Sequence, residues 1–85
     1  MAIQVRRNDL PPGVRESVIE GIIAAIGDSQ GSWQVETTSD RKNNAWDVEI
    51  QGPDEFHYAR RFSGGDRDAD VISEAVRSAV LDHAA

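Results

Sequence analysis

Residues 33–62, WQVETTSDRKNNAWDVEIQGPDEFHYARRF, alternate apolar and polar side chains in three runs separated by turn formers. In the first run Trp33, Val35 and Thr37 take one parity and Gln34, Glu36 and Thr38 the other, as a strand with one dry face requires. The second sets Trp46, Val48 and Ile50 against Asp47, Glu49 and Gln51. The third sets Phe56, Tyr58 and Phe62 against His57, Ala59 and Arg61, with Arg60 breaking the pattern on the apolar parity. A cation there suits an edge strand, where it can snorkel outward and discourage uncontrolled strand pairing.

Cross-strand neighbours share a face, so parity bounds the register. The first connection must hold an even number of residues, such as the six at 39–44, which would pair Val35 with Val48. The second must be odd, either 51–55 or 53–55. The longer choice sets His57 opposite Glu49, and the shorter sets Arg61 opposite Asp47.

The period changes to 3.6 on either side of this block. Over 12–26, Val14, Val18, Ile19, Ile22, Ile23 and Ile26 recur at helical steps, with Pro11 and Pro12 suited to the first turn and Gly27 to a left-handed end. Over 68–83 the stripe is Ile72, Ala75, Val76, Ala79 and Val80, following Ser63, Gly64 and Gly65. The expected fold is α+β, an α-β-β-β-α two-layer sandwich: a three-stranded antiparallel meander with both helices on its one dry face. Residues 2–6 alternate Ile3 and Val5 with Gln4 and Arg6, so the arm at 1–9 can supply an additional edge strand.

With 85 residues the chain suits a single domain. It has no cysteine, which excludes disulfides, thiolate metal sites and thiol nucleophiles, and fits a reducing, cytoplasmic setting. No apolar run approaches the ~18 residues of a membrane span, and the first ten residues lack the apolar core of a secretory signal. The formal net charge of −6 opposes bulk attraction to nucleic acid or to an anionic membrane.

The element order resembles the double-stranded RNA-binding-domain fold over about residues 12–83. The resemblance is carried by Trp46-Asp47-Val48-Glu49-Ile50 in the middle strand, by Gly64-Gly65, and by the small Ala75 and Ala79 of the second helix. It implies the topology. The family's phosphate contacts come from lysines at the start of its second helix, where this chain has Asp66, Asp68 and Asp70, and carboxylates there repel phosphate.

Those aspartates also resemble the start of a calcium loop, but Val71 stands where that loop needs glycine and Arg77 where it needs the bidentate glutamate. They read instead as caps and dipole partners of a helix N-terminus. Ser63-Gly64-Gly65 lacks the lysine of a phosphate-binding loop. No cofactor or metal and no catalytic residue is expected. The candidate binding residues are His57, Arg60 and Arg61 on the third strand, with Arg41 and Lys42 at the first turn. The expected function is a non-catalytic protein-interaction module that uses a sheet edge or the polar sheet face to bind itself or another protein. The alternative is a divergent nucleic-acid-binding domain.

Overall fold

The computed structural model describes residues 2–27 and 31–84. Its elements are β1 (Ala2–Asn8), α1 (Arg15–Ile26), β2 (Ser32–Asp40), β3 (Ala45–Gln51), β4 (His57–Ser63) and α2 (Ala69–Ala84), with a 3-10 turn at Gly64–Asp66. The class is α+β. Four strands form one sheet in the order β1-β2-β3-β4; β2, β3 and β4 are the antiparallel meander, and β1 joins it parallel to β2. The N-terminal arm therefore makes the extra edge strand, with α1 as the crossover that a parallel pair requires.

Both helices close on the same side of the sheet. Val18, Ile22, Ala25 and Ile26 of α1 and Ile72, Val76 and Val80 of α2 share one core with Trp33, Val35, Trp46, Val48, Ile50, Phe56 and Phe62. The opposite parity carries Gln34, Glu36, Thr38, Asp47, Glu49, Gln51, His57, Ala59 and Arg61, all half-buried or exposed. Thr37, on the dry face, is fully buried and gives its hydroxyl hydrogen to Asn8 Oδ1 at 2.9 Å, so the buried polar group is satisfied. The helices approach closely at Gly21, whose carbonyl accepts a hydrogen bond from Ser73 Oγ at 3.1 Å.

Several expectations are corrected in detail. The first helix begins at Arg15, because Gly13 takes φ 92° and residues 11–14 form a turn closed by Val14 and Arg15 N–H on the Pro11 carbonyl. Ile23 is 39% exposed, and Ala25 takes its place on the buried stripe. The β2–β3 connection holds four residues, 41–44, closed by Asp40 opposite Ala45; Val35 pairs with Ile50, and Thr37 with Val48. Parity is preserved, and the register lies two residues from the six-residue choice. Asp40 shapes this tighter turn by accepting hydrogen bonds from the backbone and side chain of Asn43, and Asn44 adopts φ 50°. The β3–β4 connection takes the shorter of its two options, 53–55, with Asp47 opposite Arg61.

Asp68 caps α2 by accepting the Asp70 N–H at 2.8 Å. Leu10 is buried although no periodic run includes it. Tyr58 belongs to the dry face, and its hydroxyl is buried without a hydrogen-bond partner. An orphaned buried donor costs about 1–3 kcal/mol. Tyr58→Phe is therefore expected to raise the stability by about 1 kcal/mol in urea denaturation; a loss of stability would show that the hydroxyl is bonded.

Candidate functional site: the open sheet face and the β4 edge

The uncovered face is a set of polar rows running across the strands. Gln4, Gln34, Gln51 and His57 align in one row, and Arg7, Glu36, Glu49 and Ala59 in the next. Thr38, Asp47 and Arg61 form the third. Glu36 and Glu49 stand directly opposite each other, an arrangement that is repulsive unless cations lie close. The His57 imidazole lies diagonally across from this pair, with Nε2 3.4 Å from Glu49 Oε2. Arg6, displaced by a bulge between Val5 and Arg7, donates to Gln34 Oε1 at 3.1 Å.

Arg61 is held at one end of this face. Its Nε and Nη2 donate to the two Asp47 carboxylate oxygens at 2.9 and 3.0 Å, and Nη2 also lies 3.0 Å from Asp40 Oδ2. A hydrogen bond from the Asn43 side chain, helped by its backbone N–H and by Arg61, holds the Asp40 carboxyl below its ordinary range against some desolvation. Hydrogen bonding and charge from Asp47 keep the Arg61 guanidinium protonated still more firmly than usual. The sign follows from linkage: the Asp40 contribution is present above the unfolded carboxyl pKa and fades as pH falls through the lowered folded value. A shallow depression of about 400 Å³ lies over this region, between Glu36, Thr38, Asp47, Glu49 and Arg61.

The five candidate binding residues are not gathered at one place. His57 and Arg61 occupy opposite ends of β4 on the open face, while Arg60 points to the helix side with its guanidinium carbon 4.9 Å from the Phe62 ring centre. Arg41 and Lys42 are exposed in the β2–β3 turn. Because β4 is the last strand of the sheet, Arg60 does stand on an edge, and β4 pairs with β3 without a register shift.

The free side of β4 can be specified atom by atom. Gly52 N–H donates to the Phe56 carbonyl at 3.0 Å, which makes 52 and 56 a hydrogen-bonded pair. Such pairs alternate along an antiparallel ladder, so the backbone groups of Tyr58, Arg60 and Phe62 point to β3. Those of His57, Ala59 and Arg61 point outward, away from the sheet. Beside this edge, on the helix side, lies an open groove of about 510 Å³ lined by Arg60, Asp70, Val71, Glu74, Ala75 and Ser78. The sequence points to a sheet edge through Arg60 and the three-strand meander, but the outward amides and the groove beside them carry no such signal; the recurrence of Val71, Ala75 and Ser78 at helical steps is the visible trace of the groove's far wall.

The fold and this edge define an α+β domain with an open sheet face and, among the described residues, a regular strand open along its outer edge. No family model matches the chain, and no curated protein matches it. Among the described residues, no helix is long and apolar enough to cross a membrane.

Proposed function

We propose that this domain is a non-catalytic protein-interaction module whose binding element is the outer edge of β4. The observation that carries this reading is the seven-residue run of β4, free of bulges and proline, whose outward N–H and C=O groups at His57, Ala59 and Arg61 have no strand beside them among the described residues. An extended segment adds to such an edge through main-chain hydrogen bonds, and alternate side chains give it selectivity. The net charge of −6 favours protein over nucleic acid as the partner. A cytoplasmic setting suits a fold that holds together without a single cysteine.

Two proline substitutions one residue apart test the assignment. Ala59→Pro deletes an outward amide, which an edge strand tolerates, so stability should change by no more than about 1 kcal/mol. Arg60→Pro deletes an amide directed at β3 and leaves a carbonyl there unpaired, costing about 1–3 kcal/mol. Association with any second copy or partner protein, followed by sedimentation and pull-down, should weaken at least tenfold in Ala59→Pro. Undiminished association in a folded Ala59→Pro variant, or a native protein that binds nothing, contradicts the reading.

A further inference from the structure

We infer that the occupant of the β4 edge is a second copy of the same strand, antiparallel and centred on Ala59, giving a two-fold dimer with one continuous eight-stranded sheet. This rests on the reading of β4 as the binding element. The inference starts from which registers the sequence of β4 permits. In a two-fold antiparallel pair some residue must face its own copy, and facing pairs share a side of the sheet. Centring on Arg60 or on Arg61 would set two guanidiniums against each other. Centring on Ala59 places a small neutral side chain on the axis and matches the outward backbone groups, His57 to Arg61 and Ala59 to Ala59. Each narrow pair exchanges two hydrogen bonds, so about six form across the interface.

The side chains tolerate this register on both faces. On the open face His57 of one copy meets Arg61 of the other; the Arg61 charge is already met by Asp47 and Asp40, and Glu49 lies beside the His57 imidazole. On the helix face Arg60 comes opposite Tyr58, a guanidinium against an aromatic ring. The β1 edge offers no equivalent, because its bulge interrupts the outward row and two consecutive arginines follow Val5.

The helix layer fits the same operation. Strands lie about 4.8 Å apart and packed helices about 8–10 Å, so two helices over four strands cover two strand spacings each. Joining two such units at β4 sets α2 beside the α2 of the other copy at ordinary packing distance. Ser73 faces α1, and Val71, Ala75 and Ser78 lie on the opposite flank, beside β4. Val71 is 38% exposed there, and the small Ala75 and Ser78 admit a second helix. The groove carries Arg60 beside Asp70 and Glu74, so an antiparallel pairing can bring the guanidinium of each copy to a carboxylate of the other.

The test uses the full chain, which has no cysteine of its own. Ala59 residues in a hydrogen-bonded pair place their Cα atoms about 5.5 Å apart, within disulfide range. Under mild oxidation Ala59→Cys should cross-link at least tenfold faster than Lys42→Cys, which reports random collision from an exposed turn. Sedimentation of the native chain between micromolar and near-millimolar concentration should show a monomer–dimer equilibrium, with the dissociation constant raised at least tenfold by Ala59→Pro. Equal cross-linking rates at the two positions, or faster cross-linking from Gln4→Cys on β1, overturn the β4 dimer. A native chain that stays monomeric while a partner protein is lost on Ala59→Pro also overturns the dimer but leaves the edge reading intact. A monomer with no proline-sensitive partner removes both.

Discussion

Phe62→Ala is expected to cost about 3–5 kcal/mol, the largest effect of any single truncation considered for this domain. Phe62 is 1% exposed, stands directly opposite Trp46 across the β3–β4 ladder, and lies under the Arg60 guanidinium. Its removal withdraws an aromatic ring from the sheet floor at the edge, where neighbouring elements can close over the space only from one side. A domain of this size has total stability of order 4–13 kcal/mol, so the substitution removes roughly a quarter of it or more. Each kcal/mol corresponds to about 4–8 °C in Tm, which makes the expected fall larger than 10 °C. A fall of only a few degrees in thermal denaturation would mean that the third strand of the meander does not pack as described.

Ile22→Ala should cost about 2–5 kcal/mol, because Ile22 is fully buried between α1 and the sheet and its loss opens a cavity walled on all sides. The neighbouring Ile23 makes the control. At 39% exposure it retains much of its contact with water, so Ile23→Ala should cost less than about 1 kcal/mol by the same urea measurement. Equal losses at 22 and 23, or the reverse order, would show that the helix is rotated from the face assigned to it.

The difference between these two isoleucines also marks where the sequence stops being legible. Periodicity identified both helices and all three meander strands, since each has one dry side and burial enforces the pattern. It could not say which flank of an isoleucine-rich stripe is covered, because Ile23 and Ala25 sit on opposite margins of the stripe and the choice depends on where α2 lies. Parity restricted the hairpin registers to even steps, and the choice among them lay in polar turn chemistry. Asp40 and Asn43 close the four-residue turn, while a glycine at 52 admits the Trp33 ring where a Cβ would stand 2.6 Å from it. In β1 the alternation stops at Arg6 because a bulge there resets the phase, and its parallel partner lies a whole helix away in the chain. Arg60 was readable as an edge residue from parity alone. A three-stranded meander also leaves its third strand at an edge, but that the arm at 1–9 would cover β2 and leave β4 open, and which amides of β4 point outward, depend on strand order and register and carry no side-chain signal.

Amide hydrogen exchange along β4, followed by NMR over a dilution series, tests the central claim most directly. At the lowest concentration the amides of Tyr58, Arg60 and Phe62, bonded to β3, should exchange slowly, while those of His57, Ala59 and Arg61 exchange at rates close to those of an open chain. On concentrating the protein, His57, Ala59 and Arg61 should gain protection together while the inward amides change little. Uniform exchange along β4 at high dilution, or an Ala59 amide that is protected whatever the concentration, would contradict the assignment of this strand as a free and self-pairing edge.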